Sequence, residues 1–143
     1  MINNLYHVNN ILVIGCGGAG LRAAIEAKLN GLQVSILGKR NKNDSHTVLA
    51  AGGINAAFGN VDSKDCWQQH FIDTYLEGYE IGDPNQIEIM AKESPSYVEE
   101  IDKWGANFKK LENNNFDQRY FGAHKYRRTC YSGDYTGQSI LNA

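Results

Sequence analysis

The chain has 143 residues, and its 14 Lys and Arg against 16 Asp and Glu give a formal net charge of −2. This balance gives no reason to expect nucleic acid or an acidic membrane surface as a partner, and the length fits one soluble globular unit. No apolar run approaches the roughly 18 residues of a membrane span. Cys16, Cys66 and Cys130 include no C-x-x-C pair, so neither a metal site nor a disulfide is implied. We expect three reduced cysteines of a cytoplasmic-type protein.

The first predicted elements are a lead-in, a strand and a glycine-rich turn. Met1 to Asn9 is polar, with no apolar core of a secretory signal, and predicts a short lead-in. Ile11 to Ile14 is apolar and predicts a strand buried on both faces. Gly15, Gly17 and Gly20 then fill the pattern G-x-G-x-x-G. These glycines allow a tight turn, the close approach of a pyrophosphate and close packing of the next helix.

A helix and a second strand complete this unit. Leu21 to Leu29 predicts an amphipathic helix whose N-terminus offers N–H groups to phosphate, and Gln33 to Leu37 predicts the strand. Strand, turn, helix and strand follow each other within about 30 residues, as a dinucleotide-binding unit requires. A purely structural glycine turn is the alternative. Where an acidic residue usually binds the ribose, about 20 residues beyond the turn, the chain has Gly38 and Lys39, which favours FAD over NAD.

The stretch from residue 61 to residue 143 is predicted to be mainly helical. Lys64 to Glu77 predicts a helix whose aromatic stripe is buried, and Asp83-Pro84 predicts the N-cap and first position of another. Ser94-Pro95 repeats that signal and predicts a third helix, which Gly105 ends as a C-cap. We interpret the i, i+3 pair on the first of these helices, His70 and Asp73, as a packing or solvated pair rather than a metal site.

Acidic and basic residues cluster separately in the second half of the chain. The acidic residues Glu99, Glu100 and Asp102 are interpreted as a solvated face, and a hydrophilic turn is predicted at 112–115. Positive charge concentrates around Phe121-Gly122. Its members are Arg119, His124, Lys125, Arg127 and Arg128. Such a cluster suits a dicarboxylate or a phosphate, and salt bridges to the acidic helices explain it equally well.

The last residues, 137–143, predict a helix without a C-cap, and only two strands of a parallel sheet are predicted. Two such strands do not make a stable sheet alone. We therefore expect an α/β fold, a Rossmann-like FAD-binding βαβ unit followed by a mainly helical region, as an incomplete part of a larger flavoprotein.

Several segments together resemble the flavoprotein subunit of succinate dehydrogenase and fumarate reductase. The resemblance runs in order from Asn10 to Ala143, and because family members are several times longer it implies the N-terminal part only. The matching segments are Ser45-His46-Thr47-Val48 with Gly52-Gly53, Tyr79-Glu80-Ile81-Gly82-Asp83, Gln118-Arg119-Tyr120-Phe121-Gly122, Arg128-Thr129-Cys130 and Asp134-Tyr135-Thr136-Gly137.

The resemblance implies the roles of individual residues. His46 matches the histidine that carries FAD covalently through the 8α-methyl group, and Phe121 and Gly52 match residues beside the dicarboxylate. Catalytic and substrate-clamping residues of the family are expected beyond Ala143. The implied cofactor-binding residues are Gly15, Cys16, Gly17, Gly18, Ala19, Gly20, Gly38, Lys39, Ser45, His46, Thr47, Ala50, Ala51, Gly52 and Gly53. Residues 10–60 would form the βαβ unit and flavin loop, and 61–143 the helical region with a basic substrate-side segment.

Activity, partners and location also follow from the resemblance. It implies interconversion of succinate and fumarate through FAD, with electrons passed to an iron–sulfur subunit. Those partners would hold a cytoplasmic protein at the inner face of the cell membrane, without direct insertion. One alternative is an L-aspartate oxidase, which lacks the histidine at position 46 but shares a basic segment like His124 to Arg128. Another is a non-catalytic FAD-binding fragment.

The chain departs from the family pattern at three positions. Ala51 stands where the family usually has Gln or Glu, Asp44 where Arg is common, and Tyr120 where Pro or Arg is common. Ala51 removes a polar group near the reacting centre, so the substrate and the direction of catalysis do not follow from the motifs.

Overall fold

The computed structural model describes residues 10–39 and 41–143, so the predicted lead-in at Met1 to Asn9 lies outside the described residues. The chain divides into two compact units, Met1–Leu49 and Ala50–Ala143. We call them unit 1 and unit 2. The functional division predicted after residue 60 remains a prediction.

Unit 1 contains the predicted βαβ arrangement. Strands β1 (Ile11–Ile14) and β2 (Val34–Leu37) pair in parallel, with Ile11 opposite Val34, and helix α1 (Gly18–Leu29) connects them. The helix begins three residues earlier than predicted, because the glycine turn itself supplies its N-cap, Gly17. The predicted burial of the first strand on both faces is not observed in this chain, where Ile14 is 81% exposed.

Two short elements follow β2 in unit 1. A single 3-10 turn covers Lys42–Asp44, and helix α2 covers His46–Leu49. Helix α2 is only one turn long, so its own hydrogen bonds stabilise it little and its position depends on contacts with neighbouring residues.

In unit 2, helix α3 (Trp67–Glu77) begins at Trp67 rather than Lys64, and it ends at Gly78 as predicted. Its buried residue is His70, whereas Leu76 is 57% exposed. The predicted burial of the aromatic stripe is therefore wrong in part: Trp67, Phe71 and Tyr75 are half-buried. The rings of Phe71 and Tyr75 stack with centroids 5.8 Å apart.

Helix α4 (Pro84–Ile101) starts as predicted, because Asp83 accepts a hydrogen bond from the Asn85 N–H and Pro84 occupies the first turn. The predicted new start at Ser94-Pro95 is wrong, since the helix runs through both residues. Proline cannot donate to the carbonyl four residues before it. Here that carbonyl, on Ala91, accepts a bond from Ser94 Oγ at 3.3 Å, which compensates for the missing donor.

A π-helical turn, Asp102–Ala106, extends α4 and changes two predictions. Gly105 does not cap the helix but lies inside this turn at φ +117°, and Asn107 takes the left-handed position that follows. Asp102 is not simply solvated: it accepts from the Phe108 N–H at 3.0 Å and pairs with Lys110 at 2.8 Å.

A small antiparallel sheet, which the sequence did not predict, joins distant parts of unit 2. Strands β3 (Ile54–Asn55), β4 (Gln118–Arg119) and β5 (Thr129–Cys130) are arranged in the order β3-β5-β4. The core packs against this sheet, and helix α5 (Thr136–Asn142) ends the described chain. The buried core residues are Ala56, Val98, Ala106, Phe108, Phe116 and Cys130. Within the described ranges, no helix is both long and apolar enough to cross a membrane.

Candidate functional site

The glycine turn of unit 1 has the geometry that the sequence pattern predicts. Gly15 has φ +123°, a conformation that L side chains rarely adopt, and its N–H donates to Leu37 O at 2.8 Å. A Cβ on Gly20 would lie 2.9 Å from the carbonyl carbon of Gly15 and still closer to its oxygen. The turn and the first turn of α1 therefore touch, and only glycine permits this approach.

The hydroxyl of Thr47 binds this turn. The Gly18 N–H donates to Thr47 Oγ1 at 3.0 Å, and a Cβ on Gly17 would lie 3.3 Å from the same oxygen. Since Gly17 has no side chain to cap the helix, Thr47 satisfies one of the N–H groups that every helix start leaves without an intrahelical partner. This contact fixes α2, and with it His46, beside the glycine turn.

A cleft of about 400 Å³ lies in unit 1 beside the turn. It brings together five of the predicted cofactor residues and also includes Asn41 and Asp44, for which the sequence pattern gave no cofactor signal. The lining residues are Gly15, Cys16, Lys39, Asn41, Asp44, Ser45 and His46.

The chemistry of this cleft fits a dinucleotide. Lys39 brings a positive charge, and the α1 N-terminus brings N–H groups, both suited to phosphate oxygens. Among the described residues, the buried Ser45 Oγ has no hydrogen-bond partner, so it is open to a polar group of a ligand. His46 is exposed at the same cleft. The residues present are therefore consistent with bound FAD.

Four further predicted cofactor residues, Ala50 to Gly53, belong to unit 2. A Cβ on Gly52 would lie 2.7 Å from Cε1 and Cε2 of Phe121, so the two predicted substrate residues are in contact. Gly53 has φ +123°, and a Cβ there would lie 2.5 Å from Cys130 O. Both positions require glycine, because the backbone of this loop lies directly against a ring and against β5.

Three successive carbonyl groups of this loop are bound by donors of unit 2. Ala50 O accepts from the Gly137 N–H at 2.8 Å. Arg119 Nη2 donates to Gly52 O at 2.9 Å and to Ala51 O at 3.3 Å. The guanidinium also lies 4.3 Å from the centre of the Tyr131 ring. Arg119, which the sequence placed in the basic cluster and in a family-like segment without a partner atom, therefore binds the glycine loop.

The other arginines of the basic cluster form ion pairs. Arg127 binds Asp62 through two side-chain bonds, of 2.6 and 3.1 Å, and the bond from the guanidinium lowers the pKa of the Asp62 carboxyl to about 2. Arg128 is fully buried and pairs with Asp65 at 2.7 Å and Asp73 at 2.8 Å. For these two residues the structure supports the salt-bridge interpretation over direct ligand binding.

Two histidines, His70 and His124, lie close enough to the buried guanidinium of Arg128 to be affected by its charge. Burial, and secondarily the charge of Arg128, lowers the pKa of His70 to about 4, and the same causes lower the pKa of His124. His124 Nε2 lies 2.6 Å from Asn55 Nδ2, and Asn55 Oδ1 accepts from Thr129 Oγ1 at 2.5 Å. Asp73 pairs with Arg128, and the interpretation of His70 and Asp73 as a packing or solvated pair rather than a metal site remains a prediction.

Comparison with known proteins identifies the class. The model of the FAD binding domain family matches residues 10–143. The chain therefore belongs to the FAD binding domain family, and FAD is its cofactor. Its relatives include a subunit of a fumarate reductase and the flavoprotein subunit of a succinate dehydrogenase.

Two curated relatives show how far the similarity extends. A fumarate reductase (CoM/CoB) subunit of Methanothermobacter marburgensis is 42% identical over 144 residues, which cover 100% of this chain and 26% of that protein. The succinate dehydrogenase flavoprotein subunit of Rickettsia bellii is 37% identical, over 98% of this chain and 25% of its own length. The chain thus spans about a quarter of these relatives.

Solved structures have the same fold. Sdh1 of Mycobacterium smegmatis in complex with UQ1 superimposes with a TM-score of 0.89 at 43% identity, covering 94% of this chain and 22% of that one. FrdA of the E. coli quinol fumarate reductase gives a TM-score of 0.84 at 30% identity, covering 93% and 23%. The predicted α/β flavoprotein fold is thereby confirmed.

Proposed function

We propose that this chain provides the FAD-binding turn and part of the dicarboxylate site of a flavoprotein that interconverts succinate and fumarate. The observation that supports this most is the position of His46 at the cleft that also includes Gly15, Lys39 and Ser45. The names of the two relatives, one from a fumarate reductase and one from a succinate dehydrogenase, favour the same reaction.

In this proposal, unit 1 binds and orients the cofactor. FAD, when bound, would supply two-electron chemistry as acceptor or donor of a hydride at one carbon of the dicarboxylate, while a proton is lost or gained at the neighbouring carbon. The N-terminus of α1 and Lys39 bind phosphate oxygens, and Ser45 Oγ donates to a polar group of the ligand. Gly17 keeps a side chain out of the phosphate approach, and Gly20 lets α1 pack against the turn.

We further propose that His46 carries the flavin covalently. A C–N bond between its imidazole and the 8α carbon replaces one C–H and one N–H bond, with release of two protons and two electrons. The two electrons would be taken up by the flavin and passed on to the iron–sulfur partner proposed below. The bond withdraws electron density from the ring system, which raises its reduction potential and helps it oxidise a weak reductant such as succinate.

Unit 2 contributes to substrate binding in this proposal. The Phe121 ring, 56% exposed and in contact with Gly52, packs against the carbon chain of the dicarboxylate. We propose that electrons pass to an iron–sulfur partner, and that such partners hold the protein peripherally at the inner face of the cell membrane. The catalytic residues are proposed to lie outside the 143 residues.

The test uses the complete natural protein, denatured in acid. We expect the wild-type polypeptide to retain flavin fluorescence after precipitation, His46→Ala to lose it, and the control His124→Ala to retain it. Succinate oxidation and fumarate reduction should be detected, and L-aspartate oxidation should not. Complete release of flavin from the wild type, together with L-aspartate turnover, would instead support the L-aspartate oxidase alternative.

A further inference from the structure

The basic stretch of unit 2 contains two arginines with opposite surroundings. The Arg127 head group faces the carboxylate of Asp62. The Arg119 head group faces carbonyl oxygens: those of Gly52 at 2.9 Å, Ala51 at 3.3 Å and Gly133 at 3.5 Å, all bound through Nη2. A guanidinium normally pairs with a carboxylate or a phosphate. Because the guanidinium of Arg119 instead donates to backbone carbonyl oxygens, we interpret its role as stabilising the loop that carries Ala51 and Gly52.

The position of Arg119 is itself fixed. It lies on β4, where it is opposite Thr129 of β5. Its guanidinium packs over the Tyr131 ring, whose hydroxyl donates to Asp117 Oδ2 at 2.6 Å. A long side chain held at both its backbone and its head group loses little further freedom when it binds the loop, so its bonds can hold that loop firmly.

When Arg119 binds the carbonyl groups of Ala51 and Gly52, it also orients the N–H groups on the opposite side of the same two peptide planes. The described chain has no cis peptide bond, and in a trans peptide the N–H points opposite to the C=O. The peptides that present Ala51 O and Gly52 O to Arg119 therefore carry the N–H groups of Gly52 and Gly53 on their other edges. Two such N–H groups beside an exposed aromatic ring suit a carboxylate on a short carbon chain.

We propose that Arg119 is a positioning residue: it fixes the Ala51–Gly53 loop so that Gly52, Gly53 and Phe121 together bind one carboxylate end of the dicarboxylate. This inference rests on the proposed function for its ligand. In this inference Arg119 binds the loop and does not contact the substrate. The role therefore differs from a general electrostatic attraction of the dicarboxylate by the basic cluster.

The experiment compares Arg119→Gln with Arg127→Gln in the complete protein, because each removes one positive charge from the same stretch. Hydrogen exchange of the 51–53 amides reports on the loop directly, and malonate is the dicarboxylate probe. We expect Arg119→Gln to speed that exchange and weaken malonate binding by about tenfold or more, the scale of a lost hydrogen bond to a charged group. Arg127→Gln should change neither.

Arg119→Lys keeps the charge and one donor group, so it should restore part of the malonate affinity. Such a partial recovery would show that the weaker binding of Arg119→Gln does not come from a folding defect. In steady-state kinetics, KM should rise more than kcat falls. Equal weakening by both Gln variants would overturn the inference, because charge alone would then explain binding, and so would unchanged exchange and affinity in Arg119→Gln. A wild-type protein that does not bind malonate would reject the proposed function and the ligand assigned here, while the exchange measurement still decides whether Arg119 holds the loop.

Discussion

At the scale of single residues, the site depends on side chains that touch the backbone of glycine loops. Thr47 binds the Gly18 N–H in unit 1, and Arg119 binds Gly52 O in unit 2. Neither role follows from the residue type. A threonine in a one-turn helix and an arginine in a basic stretch can each bind several kinds of partner, and the partner atom in the structure identifies the role.

Replacing Thr47 by Val keeps its shape and removes the hydroxyl that caps α1. We expect a loss of about 1 kcal/mol, as for other helix N-caps, together with weaker FAD binding, because the turn and α2 lose their connection. Thr47→Ser retains the hydroxyl and should behave like the wild type. Equal FAD affinity of the Val and Ser variants, measured by fluorescence titration of apoprotein, would contradict this role.

The cysteines should differ in reactivity according to burial. Cys130 is fully buried, and burial raises the pKa of its thiol to about 12, so almost no thiolate forms at neutral pH. Cys66 is exposed. Maleimide labelling followed by peptide mass spectrometry should modify Cys66 in the native protein and Cys130 only after unfolding. Rapid native labelling of Cys130 would show that the core of unit 2 opens readily.

At the scale of elements, the residue that α3 buries in the interior of unit 2 is a histidine, His70, rather than an apolar residue. His70 is 1% exposed, and its Nδ1 has no partner among the described residues. A neutral imidazole can be buried at moderate cost, whereas an imidazolium beside Arg128 cannot. This makes the helix sensitive to acid.

The direction of this pH dependence follows from the pKa of His70, about 4 when folded against 6.5 for an ordinary histidine. Between these values the unfolded state binds the proton more tightly, so stability is fully present above pH 6.5 and is lost as the pH falls towards 4. The loss is about 3 kcal/mol at most. Urea titrations from pH 7 to pH 4 should show this loss in the wild type and a smaller one in His70→Phe. An identical pH profile for the two proteins would contradict it.

The sequence predicted the presence of the first strand and of the main helices, but not every helix boundary and not the two-residue strands, for identifiable reasons. The α3 and α4 helices carry a clear period and a cap, and β1 is a plain apolar run. Strands β3, β4 and β5 have two residues each, too few to show any alternation. The start predicted at Ser94-Pro95 failed because a serine hydroxyl can replace the N–H that proline lacks, and a local pattern does not reveal which partner that hydroxyl selects.

The candidate site shows the same limit. The glycine turn is encoded in consecutive residues, so its geometry could be predicted. The ion pairs of Arg128 could not, because Asp65 and Asp73 lie more than 50 positions away along the chain. The contact of Gly52 with Phe121 was not predicted: the family resemblance implied only that both residues lie beside the dicarboxylate, and their separation in sequence carries no signal of proximity.

At the scale of the whole molecule, the two units differ in how much they bury. The apolar core of the described residues lies within unit 2, around Val98, Phe108 and Phe116. In the described part of unit 1, Ala24 is the buried apolar residue, and Leu12, Ile14 and Leu37 are exposed. Because apolar burial supplies most of the stability of a fold, unit 2 should be the more stable part of this chain.

Hydrogen exchange of the 143-residue chain should therefore be slow in the strands and helices of unit 2 and fast in β1, β2 and α1. Phe108→Ala, which removes a ring that is 3% exposed, should destabilise unit 2 by about 3–5 kcal/mol and speed exchange throughout its core. Lys109→Ala, at an exposed neighbouring position, is the control and should have little effect. Equal protection of both units in the unmodified chain would contradict the prediction.

The buried group of Arg128, Asp65 and Asp73 limits how this sequence can diverge. Losing Arg128 leaves the buried Asp65 carboxylate without its counter-charge, at a cost of about 3–5 kcal/mol, and losing either aspartate removes one of the two partners of the buried guanidinium. Exchanging all three residues for well-packed apolar ones can be nearly neutral. A sequence in which only Arg128 has been replaced is therefore less stable than one that keeps all three residues or one that has replaced all three. Natural variants of this domain should then keep all three residues or differ at several of them at once, and a lineage that carries only one of these changes should need a stabilising substitution elsewhere in unit 2.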